Sequence, residues 1–410
     1  MSLFKTKNLH GMVRDETMTS ISSSGDELKA REKQAEAVRA SFEAASFEPV
    51  TAPVLQPADI FLDRSGEDIR RRTYLFTDVG GQELCLRPEL TIPVCRLYLE
   101  TDPDGATPRR LCASGPVYRY QPTGSEKLSE YNQCGLEILG GVDEAAADAE
   151  ITRLGVAAVE AAGLTDFQFE LGDLSLFDAL IDAINIPKGW KGRLRRQFWR
   201  PDFFANLLTD LSNGEGQANG EDQNGLLSVL VGLDEKQATT LLTDVLKLGG
   251  IAPVGGRGVD EIASRLLEKA GEATTEQMPK EAATIIAAYM KISVPASDAV
   301  EQVGSLLKKN GISANPALEK LSVRLKAISD AGVDLGRATF STGFGRKLEY
   351  YTGHVFELRV PELGNDAVIM GGGRYDGLLQ SLGAPKPVQA VGCAIALERL
   401  FQATNKGEVK

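Results

Sequence analysis

The chain has 410 residues, and its 45 Lys and Arg against 57 Asp and Glu give a formal net charge of −12. That balance argues against nonspecific binding to nucleic acid or to an anionic membrane, because neutralising phosphates needs clustered Lys and Arg. The sequence has no run of about 18 apolar residues and no apolar stretch within residues 1–25, so neither a transmembrane helix nor a signal peptide is expected.

Two scarce residue types restrict the chemistry. The only histidines are His10 and His354, which argues against a histidine-based catalytic triad and against a multi-histidine metal site, so no metal is expected. The five cysteines include no CxxC pair. They are typical of reduced core thiols, which indicates a cytoplasmic protein.

The first predicted elements are a leader, a helix and an extended segment. Residues 1–24 are polar and Ser-rich and are expected to form a flexible leader. Ser24 and Glu27 match a capping box, which predicts a helix running to about Ala45. Residues 47–55 contain two prolines, and the pattern is typical of an edge strand.

Two hairpins follow along the chain. Strand-like runs at 73–76 and 83–87 flank a Gly-Gly turn, and a second pair at 117–120 and 131–139 flanks a polar loop. Hairpins that alternate with helices predict an α+β fold, with an antiparallel sheet flanked by helices, rather than a doubly wound parallel sheet.

The remaining sequence divides into helical and strand-like blocks. Residues 143–162 are Ala-rich and predict a helix, and residues 167–171 alternate as a strand. After Pro187 the patterns are helical until strand-like runs resume at 338–341 and 355–360. The predicted domains are a leader at 1–24, a first part of the core at 25–187, a mostly helical insertion at 188–335, a second part of the core at 336–402 and a tail at 403–410.

Polar residues are concentrated in a few strand-like segments. Gln133 and Glu137 lie four apart, so both would point to one face of an extended strand, and Glu89 could join them from the neighbouring hairpin. Such a face suits a small cationic amine, whereas Arg119 and Arg346 suit a carboxylate or a phosphate. Together these acidic, amide and basic side chains suggest a ligand pocket.

Aromatic and glycine residues would complete that pocket. Tyr350 and Tyr351 would supply aromatic walls with phenolic donors, and the glycines at 371–373 would permit close approach of a ligand to the backbone. Each signal alone has an ordinary explanation: Glu137 as a solvated strand residue, the tyrosines as packing, the glycines as a loop and Arg399 as a surface charge. Their combination and order favour a binding site.

The combined segments resemble the class II aminoacyl-tRNA synthetase core, specifically that of histidyl-tRNA synthetase. Residues 86–91 resemble its LRPE-x-T segment and residues 118–137 its motif 2. Residues 346–351 are similar to its histidine-recognition segment, with Lys347 and Glu349 in place of Gly and Asp. Residues 371–376 and 392–399 resemble its GGGRYD segment and motif 3. The resemblance covers about 45–185 and 335–402.

The resemblance implies site residues. A histidine pocket would be lined by Glu89, Thr91, Arg119, Gln133, Glu137, Arg346, Tyr350 and Tyr351. Lys127 and Arg399 would mark a vestigial nucleotide site, and Arg346 falls where the synthetase also contacts the activated amino acid. No catalytic residue and no cofactor are expected.

Departures from the synthetase pattern separate the chain from that enzyme. The acidic position of motif 2 is Gln121, and residues 121–130 contain no arginine, with Lys127 and Ser129 at the two arginine positions. Losing one preorganised donor to developing charge costs about 10²–10³ in rate, so adenylation should be largely disabled. After Arg399 only eleven residues remain, so we expect no anticodon-binding domain and no tRNA partner.

The departures resemble a paralogue family, the regulatory subunits of ATP phosphoribosyltransferase, whose YYTG-x-x-FE pattern is similar to residues 350–357. This resemblance implies a non-catalytic subunit that partners the short-form ATP phosphoribosyltransferase catalytic subunit in the first step of histidine biosynthesis. It also implies L-histidine as effector and a dimer of class II cores within a hetero-oligomer. The sequence leaves open whether feedback by histidine uses the pocket or a subunit interface.

Two alternatives remain. One is a histidyl-tRNA synthetase-like enzyme that adenylates histidine or a related amino acid with ATP and Mg²⁺, which Arg119, Arg346 and Arg399 would support. The other is a nucleic-acid adaptor, because residues 188–200 interleave basic and aromatic side chains. The ordinary interpretation of that segment is an amphipathic helix with a charged face, which we favour.

Overall fold

A mixed β-sheet forms the centre of the computed structural model, which describes residues 24–62, 67–125, 127–141, 143–198, 201–213, 233–248, 259, 262–264, 266–267, 278–345 and 348–405. Its strand order within these residues is β1-β5-β6-β12-β11-β10-β7-β9-β8, and β2-β4-β3 form a smaller sheet. The strands are β1 Glu48–Val50, β2 Leu55–Pro57, β3 Leu75–Thr77, β4 Glu83–Leu86, β5 Arg109–Tyr118, β6 Glu130–Leu139, β7 Gln168–Asp173, β8 Ser293–Pro295, β9 Ala338–Ser341, β10 His354–Arg359, β11 Val368–Arg374 and β12 Ala390–Ala396.

Helices connect and cover these strands. The described α-helices are α1 Gly25–Ala44, α2 Asp59–Leu62, α3 Glu67–Arg72, α4 Thr91–Thr101, α5 Glu144–Ala161, α6 Leu174–Ala183, α7 Lys188–Gln197, α8 Pro201–Asn213, α9 Glu235–Leu248, α10 Lys280–Tyr289, α11 Ala299–Lys309, α12 Asn315–Asp330, α13 Leu378–Ser381 and α14 Leu397–Thr404. Helix α5 packs on β11 and β12, and α12 packs on α5. None of the described helices has the length and apolar character needed to span a bilayer.

The predicted α+β class is confirmed. Most neighbouring strands of the large sheet are antiparallel, but β1 pairs with β5 and β7 pairs with β9 in parallel. Strand β1 is the edge strand expected from the prolines, and it includes Pro49. The two parallel pairings were not predicted, because they join strands that are distant in sequence.

Both predicted hairpins are present. Strands β3 and β4 pair antiparallel, and β5 pairs with β6 from Arg109 opposite Leu139 to Tyr118 opposite Glu130. Strand β5 begins eight residues before the predicted start, because the sequence Ser114-Gly115-Pro116 interrupts its apolar pattern. Residues 111–113 are nevertheless buried against the core.

Helix α1 begins where the capping box was predicted. Its N-cap residue is Ser24, as expected, but the Ser24 side chain makes no capping hydrogen bond. That part of the prediction is wrong. All five cysteines are free and buried, in agreement with the prediction of core thiols.

The block predicted as an insertion is mostly helical in its described residues. Its last part contacts the core directly, since β8 extends the large sheet beside β9 and α12 packs on α5. The domain boundaries at 187 and 335 stay predictions, as do the leader before residue 24 and the tail, most of which lies outside the described residues.

Candidate ligand-binding site

A cavity of about 660 Å³ lies over the middle of the large sheet. Its floor includes Gly371 of β11 and Gly392 and Ala394 of β12. These positions carry no side chain beyond Cβ, so a ligand can approach the strand backbone closely. The triple glycine at 371–373 is part of β11 rather than of a loop, and Gly371 is the member that lines the cavity.

The cavity brings together most of the predicted site residues. Those that line it are Glu89, Thr91, Arg119, Lys127, Gln133, Tyr350, Tyr351 and Arg399. Arg346 lies outside the described residues, although its neighbours Gly345 and Leu348 line the cavity. Glu137 is not among the lining residues. It lies behind them, hydrogen-bonded to Thr91 of the lining and to Tyr375.

Glu89 occupies the N-terminal end of α4. Its Oε2 accepts a hydrogen bond from the Thr91 backbone N–H at 2.7 Å, and its Oε1 accepts one from the Ile92 N–H at 2.8 Å. Burial raises the pKa of Glu89, while the two backbone hydrogen bonds and the charge of Arg119 oppose that rise. The carboxylate is thus fixed in position at the helix N-terminus, with a cation near it.

Glu137 of β6 is 4% exposed and bound through side chains. Its Oε1 accepts a hydrogen bond from Thr91 Oγ1 at 2.7 Å, and its Oε2 accepts one from the Tyr375 hydroxyl. Burial raises the pKa of Glu137 to about 8, against these two hydrogen bonds and with a further contribution from Glu89. A cation arriving in the cavity would favour its ionised form.

The position of the Glu137 carboxyl depends on a glycine. Gly392 of β12 lies directly opposite Glu137 of β6. A Cβ added at Gly392 would overlap Glu137 Oε2 and would come within 2.7 Å of the Leu136 carbonyl oxygen. The carboxyl therefore fills the space that a side chain at position 392 would take.

Gln133 supplies a hydrogen-bonding group to the same wall. It lies on β6 two pleats from Glu137, is 8% exposed, and its Oε1 has no hydrogen-bond partner among the described residues. A buried acceptor without a donor is costly. A ligand N–H at this point would satisfy it.

Three tyrosines pack together beside the carboxylates. The Tyr350 ring centroid lies 4.9 Å from that of Tyr351 and 5.6 Å from that of Tyr375, and Tyr351 and Tyr375 are 6.4 Å apart. Burial raises the pKa of the Tyr350 and Tyr375 hydroxyls well above the usual value. The hydroxyls therefore remain protonated donors at neutral pH.

Arginines approach the cavity from the loop between β5 and β6 and from α14. Arg119 Nε donates to the Pro88 carbonyl oxygen at 2.8 Å, and its guanidinium lies 5.8 Å from the centroid of the Tyr131 ring. Arg399 lies over the same ring at 4.7 Å and donates to the Val368 carbonyl oxygen at 3.1 Å. Tyr131 is thus covered by a protein cation.

The far side of the cavity carries charges to which the sequence reasoning assigned no role. Glu170 of β7 lies opposite Glu357 of β10, and Arg359 Nη1 donates to Glu357 Oε1 at 2.7 Å. Burial raises the pKa of Glu170, and the neighbouring Glu357 adds to the rise. No three His, Cys, Asp or Glu side chains of the described residues are grouped so that they could hold a metal ion.

Two further residues, which position Glu137, received no role from the sequence. Tyr375 follows the triple-glycine strand and binds Glu137, and Gly392 makes room for that carboxylate. Both fall in segments that drew attention for their glycines, but the partner of each lies more than 200 residues away. The sequence signal available was the unusual Gly-rich composition of two strands.

The segment considered for nucleic-acid binding forms α7, with residues 199–200 outside the described part. Trp190 and Leu194 are buried, and the Arg193 guanidinium lies 4.6 Å from the Trp190 ring centroid. Arg195 pairs with Asp178 at 2.8 Å and Asp182 at 2.7 Å. This arrangement favours the amphipathic-helix interpretation.

Comparison with known proteins gives consistent likenesses in sequence. A sequence model of the histidyl-tRNA synthetase family matches residues 24–249 and 258–400. An ATP phosphoribosyltransferase regulatory subunit of Brucella anthropi is 36% identical over 368 residues, covering 88% of this chain and 95% of the relative. One of a Chelativorans species is 38% identical over 357 residues, covering 87% and 92%.

Solved structures show the same fold. An ATP phosphoribosyltransferase regulatory subunit/histidyl-tRNA synthetase of Bacillus halodurans superposes with a TM-score of 0.63 at 21% identity, covering 98% of this chain and 85% of the other. A histidine–tRNA ligase subunit of Alicyclobacillus acidocaldarius superposes with a TM-score of 0.59 at 24% identity and full coverage of both chains. The predicted class II synthetase-like fold is confirmed.

Proposed function

This chain belongs to the histidyl-tRNA synthetase-like family of ATP phosphoribosyltransferase regulatory subunits, and on that premise we propose that it binds and regulates a short-form ATP phosphoribosyltransferase catalytic subunit. In this proposal L-histidine is the effector and occupies the cavity. The chain acts in the cytoplasm, where its free cysteines stay reduced, as a dimer of class II cores within a hetero-oligomer. Family membership supports the non-catalytic role directly.

The observation that carries the proposal is that the cavity keeps its amino-acid-binding wall but has no arginine in the loop that would bind a triphosphate. On the acidic wall Glu89 and Glu137 are fixed by hydrogen bonds, and Gln133 offers a buried acceptor that has no partner among the described residues. The loop that should hold a triphosphate has no arginine between residues 121 and 130. Such a cavity can bind an amino acid while lacking most of the groups that stabilise the transfer of a nucleotide.

Histidine matches the cavity group by group. Its cationic amine suits Glu89 and the acceptor Oε1 of Gln133, and its carboxylate suits Arg119. Its imidazole suits the tyrosine cluster and Glu137, whose pKa of about 8 lets it hold or release a proton near neutral pH. Arg346, outside the described residues, would be a second partner of the carboxylate.

Regulation follows if histidine favours one conformation of the complex. An effector can change the partner's activity only by binding its two conformations differently, and such couplings are typically about 1–3 kcal/mol. Histidine bound in the cavity would then lower the activity of the catalytic subunit. If histidine bound at a subunit interface instead, substitutions in the cavity would leave inhibition by histidine unchanged.

The first test is direct binding and catalysis with the purified chain. Calorimetry should detect histidine binding, and the chain should show no histidine-dependent exchange of pyrophosphate into ATP. Robust exchange would contradict the non-catalytic role and support the synthetase-like alternative. That alternative is kept open by Arg119 and Arg399, which both line the cavity.

The second test uses the partner. The chain and a short-form catalytic subunit should co-purify, and phosphoribosyl transfer to ATP should be higher with the chain than without it. Added histidine should inhibit the complex of the wild-type chain and inhibit the complex of the Glu137→Ala variant less. Equal activity with and without the chain would reject the regulatory proposal, whereas equal inhibition of both complexes would move the effector site out of the cavity.

A further inference from the structure

A cluster of buried charges lies beside the segment that carries the tyrosine wall. Arg324 of α12 and Arg374 of β11 share one carboxylate, Asp148 of α5: Arg324 Nε donates to Oδ2 at 2.7 Å and Arg374 Nε donates to Oδ1 at 2.9 Å. Arg324 also pairs with Asp173, and Arg374 Nη1 donates to Asp376 Oδ1 at 2.9 Å. These five residues are the charge cluster.

The charge cluster is joined to residues 350–353 by short links. The Thr352 backbone N–H donates to the carbonyl oxygen of Arg374 at 2.8 Å, and the Asp376 N–H donates to Thr352 Oγ1 at 3.2 Å. At the next residue, the Leu174 N–H, next to Asp173, donates to the Gly353 carbonyl oxygen at 3.0 Å. The backbone that follows Tyr350 and Tyr351 is therefore held at two places by cluster residues or their neighbours.

The charge cluster is buried, and its two guanidinium groups hold their carboxylate partners in defined orientations. Arg324 and Arg374 are 2% and 1% exposed and Asp148 is fully buried. Replacing a buried ion network by apolar groups is often no less stable, so stability alone does not account for such a network. The planar guanidinium fork fixes the relative orientation of its carboxylate partners, which a lysine ammonium cannot do.

We propose that the charge cluster positions the Tyr350–Tyr351 wall of the cavity, with Arg324 as the residue that ties this wall to α12. One consequence of the inference is that histidine affinity depends on Arg324, and this consequence rests on the proposed function. Arg324 lies in the block predicted as a mostly helical insertion, and it also falls within residues 258–400, which the histidyl-tRNA synthetase family model matches. On this proposal the shape of the pocket depends partly on that helical block.

Two variants test the positioning role. Arg324→Lys keeps the charge and loses the fork, and Thr352→Val removes a hydroxyl link at an exposed residue without touching a buried charge. Arg110→Lys is the control, because Arg110 forms a two-bond pair with Glu150, at 2.7 Å for each bond, and its other hydrogen bond goes to the Ala45 carbonyl oxygen rather than to a member of the charge cluster. Urea unfolding establishes the range in which each variant is folded.

The decisive readout is fluorine NMR of protein labelled with 3-fluorotyrosine, with the Tyr350 and Tyr351 resonances assigned by Tyr→Phe variants. Both resonances should shift and broaden in Arg324→Lys and Thr352→Val and stay unchanged in Arg110→Lys. Unchanged resonances in Thr352→Val and in folded Arg324→Lys would overturn the inference, whether or not the wild-type chain binds histidine. If Arg324→Lys does not fold, Thr352→Val decides alone.

Calorimetry with L-histidine then separates the inference from the proposed function. Both variants should bind histidine about three- to tenfold more weakly than the wild type, and the control should bind within about twofold. Wild-type affinity in folded variants of reduced stability would assign the cluster a structural role only. If the wild type does not bind histidine, the proposed function is rejected. The NMR result alone then decides whether the charge cluster positions Tyr350 and Tyr351.

Discussion

The two ends of the cavity hold their charged groups differently. At the acidic end Glu89 is bound by two backbone N–H groups and Glu137 by two side-chain hydroxyls, all within buried packing. At the loop end Arg399 is bound by the Val368 carbonyl oxygen and the Tyr131 ring. At the acidic end the carboxyl groups are held by hydrogen-bond donors of the protein, whereas at the loop end a cation of the protein covers the aromatic ring.

This difference indicates which part of a bound ligand each end can recognise. A desolvated pair of carboxylates gains most when a cation arrives, because burial has raised the pKa of both. The loop itself contributes Lys127, in a segment that also contains acidic residues. Recognition should therefore depend strongly on the acidic end and weakly on the loop.

The largest expected effect comes from closing the space under Glu137. In Gly392→Ala the new methyl group displaces the Glu137 carboxyl or the β6 backbone, and overpacking of this kind costs about 3 kcal/mol of unfolding free energy. Histidine binding by calorimetry should be lost. Gly377→Ala is the matched control, because its new Cβ would meet only Thr352 Cγ2 at 3.9 Å. Wild-type affinity in Gly392→Ala would disprove the role assigned to Glu137.

Removing the carboxylate itself should have the next largest effect. Glu137→Ala should weaken histidine binding by ~1.5–3 kcal/mol, the range for a hydrogen bond to a charged group. The exposed Glu83→Ala on β4 serves as control and should leave the calorimetric Kd unchanged. If both variants bind alike, the carboxylate behind the lining does not sense the ligand.

The raised pKa of Glu137 predicts a pH dependence of stability. The folded chain keeps this proton up to about pH 8, whereas the unfolded chain releases it near the ordinary value of 4.5. The folded state therefore binds more protons in this window, and unfolding free energy should fall with rising pH, by about 2 kcal/mol between pH 6.5 and 8.5 for this group. Urea unfolding at these two pH values measures it.

A Glu137→Gln variant checks the source of that fall. Its amide does not titrate, so its unfolding free energy should decrease less than that of the wild type over the same range. Glu89, whose pKa is also raised by burial, lowers stability in the same direction at the pH at which it titrates, and it remains in the variant. An identical decrease in both proteins would show that Glu137 is ionised throughout.

The smallest effect is expected at the loop. Lys127→Ala should change histidine affinity by less than about 1 kcal/mol, because an ion pair that solvent can reach contributes at most about that much. Calorimetry beside Glu137→Ala makes the comparison between the two ends. A loss in Lys127→Ala as large as that in Glu137→Ala would remove the distinction drawn between them.

Local sequence patterns accounted for much of the fold and for part of the site. The four-residue spacing of Gln133 and Glu137 predicts that both point to one face of a strand, and in the structure both residues lie in β6. The hairpin turn and the start of α1 were predicted in the same way, from a few adjacent residues. What could not be predicted was the depth of each side chain, since Glu137 was expected in the lining and lies behind it.

The sequence by itself determined the family, the α+β class and most of the residues that meet in the cavity, because strand periodicity, turn residues and motif order are encoded locally. Only the tertiary structure decided that Tyr375 and Gly392 position Glu137, and that Arg324 lies against Asp148 and Asp173. These contacts join strands and helices more than 100 residues apart. Burial, and with it the proton affinity of each carboxylate, depends on such neighbours rather than on adjacent sequence.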